Sequence, residues 1–151
     1  MKTMNILKST ALVLAGPLAL ALASPANAQE WPLVPGDYSE ITGIDIADGG
    51  DLEYAKFVAN QWVGNQKYAI SQGWIKSYNI YYNVHRRHGE PSMYLSVTFA
   101  KLADAAEQEK REKAYLDYMK RSQAQLESES GNRAKFRTVM GTMLLQEVSV
   151  R

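Results

Sequence analysis

Residues 75–86 alternate in chemistry. Tyr78, Ile80, Tyr82 and Val84 fall on one parity; Asn79, Tyr81, Asn83 and His85 fall on the other. A strand sends successive side chains to opposite faces, so one face is apolar and the other carries amides, a phenol and an imidazole. Residues 93–99 repeat the pattern, with Met93, Leu95, Val97 and Phe99 set against Tyr94, Ser96 and Thr98. His88-Gly89-Glu90-Pro91 between them is a turn signal, and the whole reads as a hairpin. Its polar face collects Asn79, Tyr81, Asn83, His85, Tyr94, Ser96 and Thr98. Groups that hydrogen-bond and stack suit a small aromatic or apolar ligand, and these seven are the candidate ligand-binding residues. The plainer alternative is a damp interface or an open polar sheet face. His85 is the candidate general acid or base, because an imidazole titrates near pH ~6.5.

Other chemistries find little support. His85 and His88 are three apart, so on a strand they point to opposite faces, and Arg86 and Arg87 between them repel a cation. A zinc site needs three or four ligands, so no metal or cofactor is expected. There is no cysteine, hence no disulfide, thiolate site or lipid-modified cysteine. No G-x-S-x-G elbow or phosphate loop occurs. Asp117, Glu127 and Glu129 fall on a solvated helix rather than as a catalytic carboxylate pair. A net charge of +1 on 151 residues gives no electrostatic footprint for nucleic acid.

The elements that position the hairpin follow an N-terminal export pattern. Lys2 and Lys8 precede a run from Ala11 to Leu22 that is apolar save for Gly16 and Pro17, and Ala26-Asn27-Ala28 is a small-residue cleavage site. This predicts a signal peptide over residues 1–28 and a periplasmic or secreted protein with no stable membrane anchor after cleavage. Removing 28 of 151 residues leaves 123; it removes two lysines and no acid, so the mature charge is −1.

Residues 29–37, with Trp31, Pro32, Pro35 and Gly36, predict an extended lead-in to a single domain over 38–151. Ile41, Thr42, Ile44 and Ile46 predict a strand over 38–46. Residues 51–72 predict a helix, with Ala55, Val58, Ala59, Trp62 and Ala69 on one face and Gly73 as the residue just past its end. Residues 101–130 lack proline and glycine and predict a long helix with a Tyr115, Tyr118, Met119 and Leu126 stripe, stopped by Gly131. Residues 138–150 are apolar on both parities, which predicts a central or doubly covered strand.

The order is β-α-β-β-α-β, the ferredoxin-like arrangement: an α+β fold with a four-stranded antiparallel sheet and two helices on one face. With its Gln72-Gly73-Trp74 helix ending and alternating hairpin, the chain resembles the dimeric α+β barrel superfamily, as a secreted bacterial branch. The resemblance implies a homodimer with two sheets face to face and a small ligand between them. It also admits a cofactor-independent monooxygenase or haem-handling enzyme using His85, Asn79, Asn83 and Tyr81. A third reading is an envelope-stress interaction module using the charged helix over 104–130. The cone-shaped fold of nuclear transport factor 2-like proteins competes less well, since that family generally begins with helices.

Overall fold

The structure, a computed structural model, describes residues 30–151, and the folded unit is Trp31–Arg151. The expected signal peptide lies outside the described residues. Four strands, β1 (Leu33–Ile46), β2 (Ser77–Tyr82), β3 (Met93–Phe99) and β4 (Arg137–Val150), form one antiparallel sheet in the order β2-β3-β1-β4. Between β1 and β2 runs a continuous helical segment: α1 (Asp51–Phe57), a π-helical turn (Val58–Trp62) and α2 (Val63–Ser71). Between β3 and β4 lie α3 (Ala105–Met119) and α4 (Gln123–Arg133). The fold is α+β, and no described helix is long and apolar enough to cross a membrane.

Strand β1 starts at Leu33, within the expected lead-in. β3 pairs only with Tyr38–Ile44, so β4 is the one strand partner of the first residues of β1 among the described residues. Prolines are tolerated at such strand margins, and a register shift between Pro35 and Tyr38 absorbs the irregularity.

The helical run ends as its sequence predicts. Gly73 takes φ +69°, its N–H donates to the Ile70 carbonyl at 2.9 Å, and the Trp74 N–H donates to the Ala69 carbonyl at 3.0 Å. That pair of bonds satisfies carbonyls a helix end would leave bare, and glycine takes the left-handed turn without a Cβ clash.

The core is small. Ile44 and Ile46 from β1, Met93 and Leu95 from β3, and Tyr54 and Val58 from the helical run are buried, with Phe57, Trp62 and Phe136 packed around them. Each fully buried side chain of this size contributes roughly 1.5–3 kcal/mol. Tyr54 and Phe57 replace Ala59, which is exposed, on the inward face.

The expected helix over 101–130 is two helices. Lys120 takes left-handed backbone (φ 51°), and α4 restarts behind Ser122, whose Oγ accepts from the Gln125 N–H while the Gln125 side chain accepts from the Ser122 N–H. This reciprocal cap satisfies two free donors and makes a new start cheaper than continuation. Gly131 does not stop α4, which continues to Arg133.

Strand β4 is neither central nor covered. It lies at the sheet edge, paired with β1 alone, and Met143, Leu144, Leu145 and Val148 are exposed on both of its faces.

Candidate functional sites on the two faces of the sheet

Cross-strand partners point the same way, so the register assigns the faces. Asn79 pairs with Ser96, Tyr81 with Tyr94 and Ser77 with Thr98; Ser96 pairs with Ile41, which pairs with Met143. Asn79, Tyr81, Tyr94, Ser96 and Thr98 therefore share the face turned away from the helices, and Ser39 Oγ lies 3.3 Å from Thr98 Oγ1 on that side. Next to this polar-aromatic half stands an apolar half built by Ile41, Met143 and Leu145. A shallow depression of about 320 Å³ opens there, lined by Gly43, Pro91, Tyr94, Met140, Gly141 and Met143. Gly43 is needed at its base, because a Cβ would stand 2.6 Å from Pro91 Cγ.

Asn83 and His85 do not join that face. β2 ends at Tyr82, short of the expected strand over 75–86, and the chain turns out of the sheet. Asn83 Nδ2 donates to Glu90 Oε2 at 3.1 Å and to the Pro91 carbonyl at 3.2 Å. Glu90 also accepts from the Arg87 N–H at 3.0 Å and from its Nε at 2.6 Å, and Arg86 Nη2 reaches Asp45 at 2.6 Å. The backbone donor of Arg87, then its side chain and that of Asn83, hold the Glu90 carboxyl down at about 2. This network closes the loop on itself and leaves His85 and His88 exposed outside the lining of either cavity described here.

The helix-facing side holds a cavity the sequence analysis did not foresee. It measures about 300 Å³ and lies between the helical run and β1, β3 and β4. Its sheet wall is Glu40, Thr42, Ile44, Leu95, Val97, Arg137 and Val139; its helix wall is Tyr54, Phe57, Trp62 and Gln66. Residues four apart drift about 40° round an α-helix per step. The π turn, in which the Val63 N–H donates to the Val58 carbonyl five residues back, is wider and absorbs that drift. Tyr54, Val58, Trp62 and Gln66 so keep one face, and Trp62 meets Tyr78 edge-on at 5.5 Å.

Helix α3 packs on α2, beside the cavity, through paired aromatic and polar side chains. Tyr68 stacks on Tyr118 at 3.9 Å, Asn65 Nδ2 donates to the Tyr115 hydroxyl at 2.7 Å, and Tyr68 Oη donates to the Ala114 carbonyl at 3.2 Å. No residue of α3 or α4 is fully buried. A second hollow of about 260 Å³ adjoins the first, and the two share Glu40 and Val97.

Charge is unevenly placed in the main cavity. Arg137 pairs with Ile46 and Glu40 lies six residues earlier on β1, so the two stand about 20 Å apart along the strand. Arg137 donates to Ser130 Oγ at 3.1 Å. Arg133 sits over the Phe57 ring at 4.2 Å, and its Nε is buried with no hydrogen-bond partner among the described residues. Burial, and then the neighbouring Arg137, pull the Arg133 guanidinium below its usual range. Burial raises the Tyr54 hydroxyl against the opposing pull of Arg137 and Arg133.

No model of a known protein family matches the chain, and neither does any curated protein. Among solved structures, the crystal structure of HapK from Hahella chejuensis is similar over 73% of this chain and 91% of that one, with 9% identity and a TM-score of 0.46. At that level of similarity the match assigns no activity.

Proposed function

We propose that the chain is an exported homodimeric α+β protein of the ferredoxin-like arrangement that holds a small, largely apolar molecule in the cavity between its first helical run and the sheet. The cavity carries this reading. Aromatic and aliphatic walls (Phe57, Trp62, Leu95, Val97, Val139) stand beside polar groups (Glu40, Thr42, Gln66, Arg137), a mixture that suits a small ligand with an apolar body and a polar end. The strand order β2-β3-β1-β4, with helices after β1 and after β3, supports the ferredoxin-like assignment. The face turned away from the helices, continuous with the apolar edge strand β4, supports a second copy as its cover.

A specific observation favours a second ligand position, between the two sheets of the dimer. The depression around Gly43 and Gly141 has methionine and tyrosine walls suited to an apolar ring. The enzyme alternatives would need a histidine in a pocket, and His85 stands exposed in the β2–β3 loop. Export is supported by the N-terminal sequence alone, and an intact mass beginning at Gln29 in the periplasm is its test.

The cavity reading is tested by fragment screening with NMR detection. Fragments of one or two rings are expected to shift the Trp62 indole and the Val97 and Val139 signals together. Val97→Trp, which fills the space, is expected to remove those shifts while leaving the hairpin signals in place. Fragments that move only Tyr94, Met140 and Met143 would transfer the site to the other face.

A further inference from the structure

The corner of the cavity where β4 begins has Arg137 in its wall and Arg133 behind the Phe57 ring, with no acid to answer them. Among the described residues, neither Arg133 nor Arg137 forms an ion pair with a carboxylate. Glu129, the nearest acid acting on Arg133, is engaged by Arg121 at 3.1 Å. Arginines brought side by side repel each other and usually share an intervening acid; here the neighbours are the Ser130 hydroxyl, the Phe57 ring and the buried Tyr54. A planar guanidinium fork is built to grip an oxyanion with two parallel bonds. The far end of the cavity carries the opposite sign at Glu40, which also forms no ion pair among the described residues.

We infer that the cavity takes an organic monoanion, lying with its carboxylate against Arg137, where Arg133 adds positive charge from behind the wall, and its apolar body between Trp62, Val97 and Val139. This rests on the cavity reading and adds the ligand's class and direction. Glu40 sets the selectivity. A second negative group on the distal end of the ligand would face a like charge, so a dicarboxylate is disfavoured. The volume of about 300 Å³ fits one ring with a short chain.

The test uses the mature protein and four probes: 4-phenylbutyrate, 4-phenylbutanamide, 4-phenylbutyl phosphate and 4-(3-carboxypropyl)benzoate. Binding is read by NMR shifts at Trp62 and Val97. The acid is expected to bind about tenfold to a hundredfold more tightly than the amide, the usual range for a charge-assisted pair. The dicarboxylate is expected to bind more weakly than the monoacid, and Glu40→Gln should restore it. Arg137→Gln should bring acid and amide together without weakening the amide, and Arg137→Lys should restore part of the preference. If Arg137→Gln fails to fold, Arg133→Gln reports on the same corner. A phosphate that outbinds the carboxylate would move the ligand to the phosphate-ester class and overturn the carboxylate assignment. Equal affinity for acid and amide in the unaltered protein would overturn the anion inference while leaving the cavity reading intact. Failure of every probe, amide included, to shift Trp62 would overturn both.

Discussion

The two faces of one sheet are finished in opposite ways. On the helix side, Tyr54 is 1% exposed, yet a few residues away the helices stand off the strands and leave a lined cavity. On the other side no helix packs among the described residues, and Tyr81 is 52% exposed beside Tyr94. The first face is closed by the chain itself and opened locally; the second buries Ser96 among its neighbours but is otherwise largely exposed, and is flanked by the apolar strand β4. The lesson is that a hollow inside a packed layer and a bare sheet ask for different occupants. A hollow with a few polar groups suits a molecule of its own size, whereas a wide face bounded by exposed Met143, Leu144 and Leu145 suits a surface of protein.

The comparison breaks most visibly at its tyrosines. Tyr54→Ala removes a fully buried ring that touches Phe57 and Phe136. It is expected to cost about 3–5 kcal/mol, a large fraction of a small domain's stability. Tyr81→Ala should cost under about 0.5 kcal/mol in the monomer, since its ring is half in water. Urea denaturation at concentrations below dimer formation measures both. Similar costs at the two positions would mean that the bare face is already covered within one chain.

How much of this was legible in the sequence depended on the range of the interactions involved. The alternation of Tyr78 and Ile80 against Asn79 and Tyr81 is local, and so is the Gly73 helix ending; the helix ends as expected, and the strand forms over the middle of its expected span. The break between α3 and α4 was also written locally, in the Ser122-x-x-Gln125 cap, but no glycine or proline drew attention to it. The end of β2 at Tyr82 depended on Glu90 reaching back to Asn83 and Arg87, a bond pattern that alternation does not encode. The cavity was invisible for a stronger reason. Its walls come from Glu40, Trp62, Val97 and Arg137, which only the β1–β4 and β1–β3 pairings bring together. The apolar residues on both parities of β4 predict a central or doubly covered strand. Among the described residues β4 is an edge strand with no such cover, and this is the feature that most favours a partner.

Strand β4 sharpens the comparison because its alternate residues belong to different faces. Met143 pairs with Ile41 and Leu145 with Ser39, on the bare side; Leu144 pairs with Glu40, on the cavity side. If a second copy covers the bare face, Met143→Lys with Leu145→Lys places charges in that interface without disturbing the buried core. The variant is expected to shift from dimer to monomer at micromolar concentration by sedimentation, with an unchanged circular dichroism spectrum. Leu144→Lys should leave the dimer in place. A monomeric parent protein would remove the proposed occupant of this face, and equal effects from both variants would mean that the β4 edge, not the face, makes the contact.

The smallest effect concerns the loop that carries His85 away from the sheet. The Glu90 carboxyl is held at about 2 by the Arg87 N–H, the Arg87 side chain and the Asn83 amide. A carboxyl depressed in the folded state stabilises that state above its ordinary range near 4.5, and the contribution fades as the pH falls through about 2. The group is at the surface, so the effect on global stability is slight. The side-chain amide of Asn83 and the backbone amide of Arg87 are expected to shift together in an acid titration, with a midpoint near 2, while Val97 in the cavity wall does not follow them. Glu90→Gln should abolish that titration. A midpoint near 4.5 would mean that the loop network is open in solution. His85 would then be free to swing toward Tyr94 and the bare face, and the distinction drawn here between loop and face would fail at that residue.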